Sequence, residues 1–259
     1  MDGTNERMAL SAREALKGKY SSVPVLALWE TDSTNLRLKE WAREGKITPP
    51  YFLLADCQTA GRGRLGRAFV SPPGTGLYMS LLIDPPRETK SGSVTILAAV
   101  AVCRAIEELT GLKPKIKWVN DLFLRGKKVC GILAEKINEG VIVGIGINVE
   151  SPPGGFPPEA GIAGALEKQV DHGLLGGWAA RYILEGMENP DDPAILHDYR
   201  VRMPLIGKTV RYTQQGIEKN ALVTGVSDDG GLLVETEGRE TILHSGEVTL
   251  GSQSFLGLE

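Results

Sequence analysis

The sequence predicts an α+β fold: a mixed, mostly antiparallel sheet with flanking helices, followed by a small β-barrel. Three observations carry this. Ser93 to Thr110 places apolar residues at 94, 97, 98, 101, 102, 105, 106 and 109, one continuous helical stripe that Gly111 ends. From Lys115 to Val149 short strand-like runs alternate with tight turns, the pattern of hairpins. After Met203-Pro-Leu-Ile-Gly207 only short strands and turns remain, up to Leu250.

Taken in order, residues 1 to 22 are polar, with a short helix expected over Ser11 to Lys19. Val25 to Trp29 reads as the first strand. Asp32-Ser-Thr-Asn35 is rich in residues that cap helices, and a helix continues over Leu36 to Glu44 until Gly45 can end it. These polar side chains stand at a strand-to-helix turn, where they either cap the helix or face a ligand. Tyr51 to Asp56 and Leu77 to Ile83 are short apolar runs, read as buried strands. Lys115 to Val119 is a strand leading into Asn120-Asp121. Leu122 to Leu124 and Val129 to Ile137 are strands joined by a turn over Arg125 to Lys127, and Asn138 to Gly140 turns into a strand over Val141 to Val149.

Ser151 to Pro158, with four prolines and two glycines, is a loop. Helices follow near Leu174 to Glu185 and over Pro193 to Arg202. The barrel strands are Thr209 to Thr213, Lys219 to Val226, Leu232 to Thr236 and Thr241 to His244. Asp228 and Asp229 fall in a turn and are read as turn chemistry. The organisation is thus a polar segment (1–22), a main domain (23–204) and a small C-terminal domain (205–259).

Composition narrows the function. At 259 residues with 24% charged and 42% hydrophobic residues, the chain has the balance of a soluble globular protein. A net charge of −3 lacks the basic footprint of a nucleic-acid binder. Cys57, Cys103 and Cys130 are far apart and lack metal-ligand spacing. His172 and His197 have no partner in the sequence and are read as structural. The N-terminus lacks a signal peptide's apolar core, and the best apolar run, Ile96 to Cys103, is far short of the ~20 residues a membrane span needs. A cytoplasmic protein is expected.

The stretch that points to chemistry is Gly61-Arg62-Gly63-Arg64-Leu65-Gly66-Arg67, with three glycines and three arginines. Glycine lets backbone approach a ligand closely. Arginine offers a planar fork of donors that fits carboxylate or phosphate. The segment reads as an anion-gripping loop, or alternatively as a mobile basic loop or an arginine-glycine contact to RNA. Its place between two strands favours a site.

Four stretches then fall in order: Asp32-Ser-Thr-Asn35; Gln58 to Arg67; Lys117-Trp-Val-Asn-Asp121 through Lys127-Lys-Val-Cys-Gly-Ile-Leu133; and Gly144-Ile-Gly-Ile-Asn148. In type and order they resemble biotin–protein ligases, over roughly residues 25 to 250. The resemblance implies a class II synthetase-like catalytic domain and an SH3-like C-terminal barrel. It implies ATP, Mg2+ and biotin as cofactor and substrates. The partner it implies is a biotin carboxyl carrier protein or domain of a biotin-dependent carboxylase. It allows a homodimer and gives no role to membrane or DNA, since about 24 residues before the first strand are too few for a helix-turn-helix.

Residue roles follow from the same resemblance. Arg62 and Arg64 would grip carboxylate and phosphate, and Lys128, read as lying in a turn, would reach the α-phosphate or the bridging oxygen. Ser33, Thr34, Asn35, Gln58, Gly61, Arg62, Arg64, Lys128 and Gly131 would surround biotin. Arg64, Arg67, Phe69, Lys117, Asn120, Asp121 and Asn148 would meet the nucleotide. Asp121 would orient Lys128 or the arginine loop, or help hold magnesium. The chain departs from the family pattern at Val119, where proline is usual, and at Phe69, where many members have tryptophan. The rivals are a lipoate ligase or octanoyltransferase, with a related core, and an RNA-binding module.

Overall fold

The computed structural model describes residues 3–90, 92–214, 217–244 and 248–250. The first helix, α1 (Glu6–Ala15), starts five residues before the expected Ser11. Asn5 caps it by accepting the Met8 amide at 3.1 Å, and Met8, Ala9, Ala12 and Ala15 form its buried stripe. Gly18, at φ +85, turns the chain soon after.

Strands β1 (Val25–Thr31) and β2 (Tyr51–Gln58) pair in parallel through the crossover helix α2 (Thr34–Arg43). Next come β3 (Gly76–Ile83) and α3 (Ser93–Thr110), which Gly111 ends at φ 72. β4 (Lys115–Lys117), β5 (Asp121–Leu124), β6 (Lys127–Ile137) and β7 (Gly140–Asn148) complete a seven-stranded sheet ordered β1-β2-β3-β7-β6-β5-β4. Every pair after the first is antiparallel. The Trp118–Val119 peptide, between β4 and β5, is cis.

Helices cover both faces of the sheet. α3, α1 and α4 (His172–Gly186) pack on one side, with α5 (Pro193–Arg202) against α3. α2 covers the other, over Leu53, Leu82 and Ile142. β3 is therefore buried at every position, which accounts for its nearly continuous apolar run, broken by Ser80. On α4, Gly173 and Gly177 let α1 lie close: a Cβ on Gly177 would stand 2.8 Å from that of Ala15.

The C-terminal unit is a five-stranded antiparallel sheet ordered β11-β10-β9-β8-β12. Its strands are β8 (Thr209–Gln214), β9 (Ile217–Val226), β10 (Leu232–Thr236), β11 (Arg239–Leu243) and β12 (Val248–Leu250). β12 is too short to show a period in the sequence. Residues 251–259 of the expected domain lie outside the described residues. The turn between β9 and β10 docks on the main domain. There the Trp118 indole donates to the Gly230 carbonyl at 2.9 Å, and Arg200 Nε donates to the Val226 carbonyl at 3.1 Å.

Candidate active site

Strand ends, the N-terminus of α2 and the arginine-glycine loop enclose a cavity of about 590 Å³. Every site residue named from the sequence lines it except Gly61, which is buried just behind. Val248 of the C-terminal sheet also reaches the wall.

One end is polar and uncharged. Ser33 caps α2, accepting the Leu36 amide at 3.5 Å, and so holds Thr34 and Asn35 in the first turn. Gln58 Oε1 accepts the Thr34 amide at 2.9 Å, while Gln58 Nε2 donates to Ser71 Oγ at 3.1 Å. Asn35 has its amide engaged on the sheet side, donating to Glu135 at 2.9 Å and accepting from Ser80 at 2.6 Å. Gly144 leaves the space that this amide fills.

The middle is apolar. Gly131 and Gly146 face each other across β6 and β7 and make a flat floor. The Phe69 ring lies on it, with Cε2 3.1 Å from where a Gly131 Cβ would be, and stands edge-on to Tyr78 at 6.3 Å.

The other end is cationic. Arg64 Nη1 donates to Asn120 Oδ1 at 2.9 Å, and Asn120 Nδ2 donates to the Ile132 carbonyl at 2.8 Å. Lys128 Nζ meets Asp121 Oδ1 at 2.8 Å, both side chains partly buried. Asn148 Nδ2 is tied to the Gly164 carbonyl at 2.9 Å. Lys117 Nζ stands 5.7 Å from the centroid of the Phe123 ring. With Arg62 and Arg67, cations outnumber carboxylates, so an anionic ligand fits this end.

Two sequence readings need correction. Lys128 is a strand residue, second in β6, not a turn residue. Its strand edge is held by residues 162–164: its amide donates to the Ile162 carbonyl at 3.0 Å, and its carbonyl accepts the Gly164 amide at 2.9 Å. The sequence placed this strand's start two residues late because two lysines interrupt the apolar run. Lys117 also ends its strand, and Trp118 leaves the sheet to reach Gly230.

The arginine-glycine loop is a closed hairpin. Gly63 donates to the Arg67 carbonyl at 2.7 Å and Phe69 to that of Gly61 at 2.9 Å, around a 3₁₀ turn at Arg64–Gly66. A Cβ on Gly61 would sit 2.8 Å from Ser71 Oγ and collide with the Phe69 carbonyl oxygen. Gly61→Ala should therefore cost ~1–3 kcal/mol of stability, the scale of core overpacking. A thermal melt identical to the parent's would show that the hairpin can part there freely.

Sequence reasoning missed Ser80, Glu135 and the wall formed by Phe156 and residues 159–163. Ser80 carried a signal, the one aliphatic hydroxyl inside the largely apolar strand Leu77 to Ile83. The wall has no motif. The three cysteines are all off the cavity; burial pushes the Cys103 thiol up to about 12 and that of Cys130 well above its ordinary value. Neither offers the thiolate that thioester chemistry needs.

Residues 28–150 match the biotin/lipoate A/B protein ligase family, and residues 205–251 match the biotin protein ligase C terminal domain. Biotin--[acetyl-CoA-carboxylase] ligase of Mycobacterium tuberculosis is 32% identical over 232 residues, covering 85% of this chain and 86% of that protein. Bifunctional ligase/repressor BirA of Bacillus subtilis is 36% identical over 214 residues, 77% of this chain and 66% of that protein. The chain thus spans about two thirds of that relative's length. Among solved structures, biotin protein ligase from Aquifex aeolicus in complex with biotin and ATP superposes with a TM-score of 0.74 at 31% identity, covering 87% of this chain and 97% of that one.

Proposed function

Because the chain belongs to the biotin protein ligase family, we propose that it activates biotin with ATP and transfers it to a lysine of a biotin carboxyl carrier domain. The observation that carries this is the polarity gradient of the cavity. A neutral hydrogen-bonding end suits a cyclic urea, a glycine floor under Phe69 suits an apolar ring and chain, and a cationic end suits carboxylate and phosphate.

In the first step a biotin carboxylate oxygen attacks the α-phosphorus of ATP and the bond to pyrophosphate breaks. Two anions must meet, so Arg62, Arg64 and Lys128 offset their repulsion and the charge that develops at phosphorus. Asn120 orients Arg64, and Asp121 orients Lys128. In the second step a carrier lysine nitrogen attacks the carbonyl of the mixed anhydride and AMP leaves. Among the described residues no group of three His, Cys, Asp or Glu side chains could hold a metal by itself. Magnesium would come with the nucleotide phosphates, and Asp121, at the cationic end beside Lys128, is a cavity carboxylate that could add a ligand.

Pyrophosphate exchange into ATP tests the reading. It should require biotin and fail with lipoate or octanoate, and a carrier domain should then acquire biotin. Exchange driven by lipoate instead would replace this function with the sister activity.

A further inference from the structure

Ser80 is fully buried in β3, where the only other polar side chain is Tyr78, bonded to the Pro72 carbonyl away from it, and no catalytic role touches it directly. Its hydroxyl lies 2.6 Å from Asn35 Oδ1 and 2.7 Å from Thr34 Oγ1. A buried hydroxyl in such a place must find partners, and here the partners are two residues of the neutral end of the cavity.

The direction of each proton follows from the neighbours. Asn35 Nδ2 donates to the Glu135 carboxylate at 2.9 Å and approaches the Leu133 carbonyl at 3.4 Å. Turning that amide over would set its oxygen against both acceptors, so Glu135 fixes Oδ1 toward Ser80. Oδ1 has no hydrogen to give, so the Ser80 proton must fill that contact. The 2.7 Å contact between Ser80 and Thr34 then needs the Thr34 proton. The remaining contact, Thr34 Oγ1 to Gln58 Oε1, is the longest at 3.2 Å, and Gln58 Oε1 already has the Thr34 amide at 2.9 Å. With its own proton committed, Thr34 Oγ1 is left as an acceptor.

We propose that Glu135, Asn35 and Ser80 form a relay that orients the Thr34 hydroxyl, so that it presents lone pairs to the cavity and selects a ligand that brings an N–H. This rests on the biotin reading, in which that N–H belongs to the cyclic urea. Ser80, Asn35 and Glu135 are then positioning residues, acting through Thr34. A pocket built to take an N–H discriminates against rings without one, because its buried acceptor would be left unpaired.

A double-mutant cycle read by calorimetry with biotin tests the relay. Ser80→Ala should weaken biotin binding by about tenfold, the upper range for one hydrogen bond. In a Thr34→Val background, where the hydroxyl is gone, the same change should alter biotin affinity by less than about twofold. The KM for ATP should stay within about twofold throughout, which a collapse of the strand would not allow. Should Ser80→Ala fail to fold, Glu135→Gln serves, since this β6 side chain is about a third exposed and a neutral amide there no longer fixes which way the Asn35 amide faces. It should weaken biotin by a few fold, and only when Thr34 is present. Equal losses with and without the Thr34 hydroxyl would overturn the relay while leaving the ligase reading intact. If the parent protein binds lipoate and not biotin, the ligase reading fails, and the relay fails with it, since lipoate has no N–H.

Discussion

Lys128→Ala is expected to slow biotin adenylation by ~10²–10³-fold, about 2.7–4 kcal/mol of transition-state stabilisation. The ammonium stands 2.8 Å from Asp121, so its removal does more than subtract a positive charge. It leaves a carboxylate facing the region where phosphate charge must gather, and that repulsion adds to the loss. Lys128→Arg should recover only part of the rate, because a planar fork cannot reproduce a point charge in that space. The double variant Lys128→Ala/Asp121→Asn should lose less than Lys128→Ala alone, since it removes the orphaned negative charge. Stability should fall less than the rate: Lys128 is about a third exposed, but its loss leaves the buried Asp121 Oδ1 without its cation. Single-turnover formation of the adenylate, alongside a thermal melt, separates the two effects. A folded Lys128→Ala protein adenylating at the parent's rate would falsify the role given to this residue.

The second large effect is expected at Trp118. Its indole is buried, lines the cavity, and donates to Gly230 in the turn of the C-terminal sheet. The next carbonyl, of Val119, accepts from the fully buried Tyr199 hydroxyl at 3.1 Å. The strand-to-strand link that carries Asn120 and Asp121 is thus braced from two sides. Trp118→Ala should cost ~3–5 kcal/mol, the range for removing a buried aromatic, or a fall in melting temperature of roughly 6–20 °C. Adenylation should fall as well, by up to ~10²-fold, since a shift of about 1 Å in Asn120 or Asp121 is enough. Trp118→Phe keeps most of the bulk and loses only the donor, so it should cost about 1 kcal/mol. Equal melting curves for Trp118→Ala and the parent would mean that the turn does not lean on this side chain.

The elements legible in the sequence were those with a strong local period or a hard stop. α3 is bounded by its apolar stripe and Gly111, and α5 by Pro193 and Met203-Pro204. Elements set by tertiary contact were not. The start of α1 depends on Asn5 as cap and on a stripe buried against β1 and, far along the chain, α4. β12 exists because β8 offers it an edge. The candidate site was legible where chemistry concentrates unusual residues, as in the arginine-glycine loop. Ser80 and Glu135 were hidden because each is ordinary alone, and only the register of β3 beside β7 and β6 brings them to Asn35.

The packing of α1 on α4 sets a timetable for biosynthesis. Ser11 hydrogen-bonds Asp171, 160 residues further along the chain. At ~5–20 residues per second on a ribosome, α1 emerges roughly 8–32 s before the helix that will cover it. During that interval its stripe of Met8, Ala9, Ala12 and Ala15 can rest only against β1, with the glycine face of α4 still to be made. The main domain therefore cannot close stepwise in chain order, and α1 waits for α4, about 160 residues later, to join the core.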